Sequence, residues 1–175
     1  MTTKVSSAMQ DLTDDYAFSG TVSGVVGTIV QVVNTQTGTA ANGTTVFPDD
    51  DTIPQNTEGV EFMTLAITPT NASNKLLIQV FLNVTSGVAV QTIGVALFQD
   101  TTAGALASQQ IRTADALRGF QAFNHYMTAG TTSATTFKVR AGGSAAGTTY
   151  INGYSAGGVH GGTIASSITI TEIAV

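Results

Sequence analysis

The chain has 175 residues, 42% of them hydrophobic and only 10% charged, with a formal net charge of −5 and no cysteine or tryptophan. Ordinary soluble domains carry roughly 25% charged residues, so this chain either presents a Thr/Ser/Asn/Gln surface to water or hides much of its surface against partners. Without cysteine there is no disulfide framework, thiolate metal site or cysteine nucleophile.

Residues 1–61 hold one lysine against eight carboxylates, a net of −7, while residues 62–175 hold five cations against three carboxylates, a net of +2. No basic stripe exists to neutralise phosphates, which argues against nucleic acid as a partner. The start, Met1-Thr2-Thr3-Lys4-Val5-Ser6, lacks the apolar core of a secretory signal. No apolar run approaches the ~18–20 residues that span a bilayer, so no membrane partner is expected.

The first segment differs from the rest. Val5, Ala8, Met9, Leu12 and Tyr16 fall at spacings of three and four, one face of a short helix that Thr2 or Thr3 would cap. The alternative is an extended arm whose apolar residues dock on a partner. Either form needs something to pack against, because helices this short are marginal alone. Phe18 opens a hinge broken by Gly20, Gly24 and Gly27. Residues 1–24 are therefore read as an attachment arm and residues 25–175 as one domain.

From Thr28 the period changes to two. A strand over Thr28–Val33 is rich in β-branched residues. Thr44–Phe47 reads as a short strand stopped by Pro48. Glu58–Ile67 reads as a strand with a bulge between Phe62 and Leu65, and Pro69 to Asn74 as a turn. In Lys75–Val84, Leu76, Ile78, Val80, Leu82 and Val84 share one face while Leu77 and Phe81 occupy the other, so both faces are expected to be partly buried. Further strands are predicted over Gln91–Gln99, Ala105–Ile111, Phe120–Met127, Thr135–Arg140, Thr148–Gly153 and Ser166–Ala174, the last with Ile168, Ile170 and Ala174 in line. The glycine-rich stretches 142–147 and 157–162 read as flexible hairpin loops. Eight to ten short strands separated by turns predict an all-β fold: a single jelly-roll-like antiparallel β-sandwich with a short N-terminal arm or helix.

Candidate chemistry is sparse. His125 lies in a predicted strand and His160 in a glycine loop; neither has the partners of a catalytic triad, and no Gly-x-Ser-x-Gly elbow is present. No histidine spacing offers the three or four ligands of a zinc site. Asp49-Asp50-Asp51, near Glu58 and Glu61, is the one dense acidic cluster and does not match the EF-hand pattern. It reads as a solvated turn, or as a partner for Arg112, Arg118 or Arg140 of a neighbouring subunit, a pairing that would set register more than affinity. Phe120, Phe123 and Tyr126 read as core at strand spacing, with a sugar-binding platform as the alternative. No catalytic, cofactor-binding or metal residue is assigned, and no enzymatic activity is expected.

Three stretches carry a resemblance: Val30-Gln31-Val32-Val33; Thr52-Ile53-Pro54 through Glu58-Gly59-Val60-Glu61-Phe62; and Ile67-Thr68-Pro69-Thr70-Asn71-Ala72-Ser73-Asn74-Lys75-Leu76-Leu77-Ile78. Together they resemble a β-sandwich module of tailed-bacteriophage virion proteins, found in head-decoration, head-fibre and tail-fibre proteins, over roughly residues 28 to 175. The resemblance implies a structural virion-surface protein, a homotrimer made in the host cytoplasm. With no repetitive shaft in the sequence, a capsid decoration (cement) or short head-fibre protein is favoured over a tail-fibre module contacting host surface glycans. The major capsid protein or another virion protein would then be the partner, gripped by Val5, Met9, Leu12, Tyr16 and Phe18.

Overall fold

The computed structural model describes residues 27–113, 117–155 and 157–175. The predicted helix or arm, with Val5, Met9, Leu12, Tyr16 and Phe18, lies outside the described residues. The described residues form twelve strands, joined by loops and one 3-10 turn (His160–Gly162): β1 (Ile29–Thr37), β2 (Ala41–Gly43), β3 (Val60–Ile67), β4 (Lys75–Ser86), β5 (Gln91–Gln99), β6 (Ala107–Thr113), β7 (Arg118–Thr128), β8 (Thr135–Gly143), β9 (Thr149–Ile151), β10 (Gly153–Tyr154), β11 (Gly157–Gly158) and β12 (Ser166–Ile173). The all-β, jelly-roll-like sandwich expected from the sequence is what these residues form, and every pairing is antiparallel.

Two sheets make the sandwich. The four-stranded sheet runs β3-β8-β5-β6. In the six-stranded sheet β4 is central. β7 pairs along one of its edges from Lys75 to Thr85, while β12 takes residues Lys75–Phe81 of the other edge and β9 takes Val84–Ser86. β1 lies outside β12, and β2 outside β9. Strand periodicity then decides the core. Leu76, Ile78, Val80, Leu82 and Val84 of β4 face Ile93, Val95 and Leu97 of β5, with Ile168 and Ile170 of β12 and Phe137 and Val139 of β8 beside them, all buried. Gln121 ties the sheets at one margin, its Nε2 donating to the Ile93 carbonyl at 3.1 Å.

The two outer faces are treated differently. On the four-stranded sheet, the stretch between β2 and β3 folds back so that Phe47 packs on Ala96 and Phe98 in a second apolar cluster. This is why β5 is buried on both faces from Gln91 to Phe98 rather than alternating. Gly94 makes the cover possible: a Cβ there would lie 2.3 Å from Phe47 Cδ1. The segment predicted as a strand at Thr44–Phe47 is this cover; the short strand falls earlier, at Ala41–Gly43.

Other differences are local. The bulge in β3 lies between Glu61 and Met63, slightly before its predicted place. Gly142 and Gly143 do not belong to a flexible loop: they are buried at the end of β8, where a Cβ on Gly142 would meet the Thr45 carbonyl oxygen at 2.5 Å and one on Gly143 would meet Gln91. Close approach of other chain segments, not flexibility, requires glycine there.

Candidate interaction surface

The outer face of the six-stranded sheet has no cover among the described residues. Register places its side chains in rows across β1, β12, β4 and β7. One row is Val32, Thr171, Leu77 and Tyr126; the next is Asn34, Thr169, Gln79 and Asn124; the next is Gln36, Ser167, Phe81 and Ala122. Ile29 and Ile173 flank Lys75 and Thr128 at one end, and Phe120 stands opposite Asn83 at the other. The apolar members protrude: Phe120 is 63% exposed, Tyr126 57% and Val32 55%. The Phe81 and Phe120 rings stack at 5.7 Å, a diagonal cross-strand pair. Between the protrusions is a hollow of about 320 Å³ lined by Gln79, Phe81, Ala122, Asn124, Ser167 and Thr169. The expectation that Phe120 and Tyr126 are core is corrected here. β7 turns Gln121, Phe123, His125 and Met127 inward and Phe120, Ala122, Asn124 and Tyr126 outward, because its alternation is set by pairing with β4. Phe123 is thereby removed from any platform with Phe120.

Asp49, Asp50 and Asp51 lie in the exposed covering segment, where Asp50 Oδ1 accepts from the Thr52 backbone N–H at 2.9 Å and the Thr52 hydroxyl at 2.6 Å. With Ser108, Gln109 and Gln110 of β6 the segment walls a cleft of about 280 Å³. Arg112 is exposed on β6 and Arg118 at the start of β7. Arg140 is used within the chain: its Nε donates to the Glu58 carbonyl at 2.9 Å and its Nη2 to the Gly59 carbonyl at 2.7 Å, while Nη1 lies 3.6 Å from Glu61. Its guanidinium thus pins the turn before β3.

The strongest polar constellation is one that charge counting alone passes over. Glu172 continues the inward face of Ile168 and Ile170, and it is fully buried. Its Oε1 accepts from the Thr70 N–H at 2.9 Å, the Thr70 hydroxyl at 2.8 Å, the Asn71 N–H at 3.4 Å and the Asn74 Nδ2 at 2.6 Å; its Oε2 accepts from Gln31 Nε2 at 2.6 Å. Burial alone would push this carboxyl upward, but the hydrogen bonds from Gln31, Asn74 and Thr70 together outweigh it and lower the pKa from 4.5 to about 2. The carboxylate fastens β1 and the β3–β4 turn to β12. Five structural donors converge on the carboxylate, four on Oε1 and one on Oε2, which suits a brace rather than a reacting group.

His125 is half-buried on the inward side of β7, and desolvation lowers its pKa, which keeps the ring neutral near pH 7. His160 is exposed. Among the described residues no three His, Asp or Glu side chains converge as metal ligands, and no helix is long and apolar enough to cross a membrane.

Fold and surface together define the class: an antiparallel, jelly-roll-like β-sandwich in which, among the described residues, a chain segment covers the outer side of β5 in one sheet and nothing covers the outer face of the other. No family model and no curated protein matches the chain. Among solved structures, it is similar to a CBM4 at 16% identity and a TM-score of 0.39, covering 64% of this chain and 66% of that one. A sugar-binding protein, the EclA C-terminal domain, matches at 14% identity and a TM-score of 0.37, covering 82% and 89%. A chain of infectious bursal disease virus, Gx strain, matches at 9% identity and a TM-score of 0.42, covering 91% of this chain and 44% of that one.

Proposed function

We propose that this protein is a structural component of a bacteriophage virion, a capsid decoration or short head-fibre protein displayed on the particle surface and held there by residues 1–24. The observation that carries the reading is the open face of the six-stranded sheet. A lone domain rarely leaves such a stack of Ile, Val, Phe and Tyr in water, and a chain with so few charges has little else to keep it dispersed. The resemblance of residues 28 to 175 to phage virion modules supplies the setting. The buried carboxylate of Glu172 is held by five donors of the fold itself, which fits a structural part for this group.

Anchoring follows from multivalency: arms joined through associated sandwiches act at high effective concentration, so modest individual contacts give durable attachment. Electron microscopy of intact particles with a bound antibody fragment tests the reading. Label on the capsid is expected, and Leu12→Asp with Tyr16→Asp should remove it while leaving the melting temperature of the free protein unchanged. Normal decoration by that double variant would overturn the role of the arm. Glycan binding lost in Tyr126→Ala would replace the structural reading with receptor binding.

A further inference from the structure

We propose that the open sheet face is a twofold interface that a second copy of this chain covers, with Tyr126 of each copy seated in the hollow of the other. Three observations on the face select this occupant. First, it carries no carboxylate among the described residues and only two cations, Lys75 near one end and Arg118 at the other. A strongly charged partner finds no complement, whereas an uncharged face like itself does.

Second, the central row is Asn34, Thr169, Gln79 and Asn124. Each of these side chains both donates and accepts, so each can hydrogen-bond its own symmetry copy. A twofold axis running across the strands along this row is therefore satisfied without any second kind of surface. It exchanges the Leu77–Tyr126 row with the Phe81–Ala122 row. Tyr126, the large protruding side chain, comes to lie over Ala122, the small one beside the hollow. The same operation sets Lys75 over Asn83 and Thr128 over Phe120, and the Lys75 ammonium, which donates to the Thr128 hydroxyl at 2.6 Å, is thereby brought toward the Phe120 ring. An axis along β4 would instead oppose Lys75 to Lys75, so the charge pattern disfavours that arrangement.

Third, the size fits. Four strands at ~4.8 Å spacing and eight residues of ~3.4 Å give roughly 500 Å² of flat sheet. Side-chain relief brings this toward the ~800 Å² per partner of a standard stable interface. The covering segment over the other sheet makes the contrast plain: among the described residues, β5 has its outer side buried by Phe47, while the outer face of the six-stranded sheet has no such cover.

The association concerns the purified protein and stands apart from virion attachment, so particle localisation neither supports nor overturns it. Light scattering at about 100 µM should read twice the 17.9 kDa of one chain. Tyr126→Ala, which empties the hollow, and Ala122→Trp, which fills it, should each weaken the dimer at least tenfold while circular dichroism and melting show a folded domain. Ser108→Lys, on the other sheet, should leave it intact. Because the native chain has no cysteine, Gln79→Cys should cross-link to itself with a short bismaleimide and Ser108→Cys should not. A single-chain mass, a three-chain mass as the phage resemblance implies, or a two-chain mass indifferent to both hollow variants would each overturn the proposal.

Discussion

Removing the carboxylate of Glu172 is the sharpest test of how this sandwich is held closed. In Glu172→Ala the Asn74 amide, itself buried, loses its 2.6 Å acceptor, and the Thr70 hydroxyl, the Thr70 and Asn71 N–H groups and the Gln31 amide lose theirs. Hydrogen bonds to a charged group contribute about 1.5–3 kcal/mol each but do not add when they share one acceptor, and donors near the margin recover water. The expected cost is about 3–5 kcal/mol. At about 2–4 °C per kcal/mol for a chain of this size, melting should fall by roughly 6–20 °C. Glu172→Gln keeps the shape and one acceptor oxygen, loses the charge, and turns an amide toward Gln31; about 1.5–3 kcal/mol is expected. The pH dependence gives an independent reading. The folded pKa is depressed from 4.5 to about 2, so the stabilisation is fully present above pH 4.5 and is lost as pH falls through about 2. Urea unfolding at a series of pH values should show wild type losing stability across that window and Glu172→Gln losing less. A Gln variant within 0.5 kcal/mol of wild type, with the same acid slope, would refute the brace.

Further substitutions probe three other joints. Asn152 holds a positive φ of 55°, donates through Nδ2 to the Thr37 and Thr39 carbonyls, and accepts from the Ser166 hydroxyl at 2.7 Å; Asn152→Ala should cost about 3 kcal/mol in urea unfolding, and Asn152→Asp should not restore the lost donor. Gly94→Ala should cost about 1–3 kcal/mol by displacing Phe47 and should speed proteolysis within residues 44–59; unchanged cleavage would show that the segment is not seated there. Arg140→Met should cost about 2 kcal/mol through the Glu58 and Gly59 carbonyls, whereas Glu61→Gln should stay within 0.5 kcal/mol because its ion pairs are partly exposed and longer than 3.5 Å.

Much of the fold is legible in the sequence because strand periodicity is a local signal. The β4 residues Leu76 to Val84 alternate so cleanly that both their core face and the opposite face of Leu77 and Phe81 follow from spacing alone. Phe120 and Tyr126 fall on one face by the same rule, but spacing cannot say whether that face meets the core or the solvent; the answer lies in the register with β4, a long-range fact. Gln91–Phe98 misleads in the other direction, since its second buried face depends on Phe47, more than forty residues away. Glu172 illustrates the hardest case. A lone carboxylate near the end of a strand reads as a surface charge until the turn carrying Thr70, Asn71 and Asn74 arrives to receive it, and those donors lie about one hundred positions earlier.

The placement of charge and of open surface follows one logic. A sandwich needs its inner faces dry, and this chain achieves that with apolar residues plus one ionised group held by five hydrogen bonds. With the few remaining charges spent on the turn before β3, on the covering segment and on the margins, none stands in the middle of the six-stranded sheet's outer face. A residue such as Lys or Glu at position 79 or 124 would cost the monomer almost nothing, because those sites are exposed, and would guard the face against association. Gln79 and Asn124 stand there instead, polar enough to be soluble and neutral enough to meet their own kind. Gln79→Glu is therefore informative: a charge set on the proposed axis faces its own copy, so it should abolish the two-chain mass while leaving the melting temperature of the domain unchanged within about 2 °C.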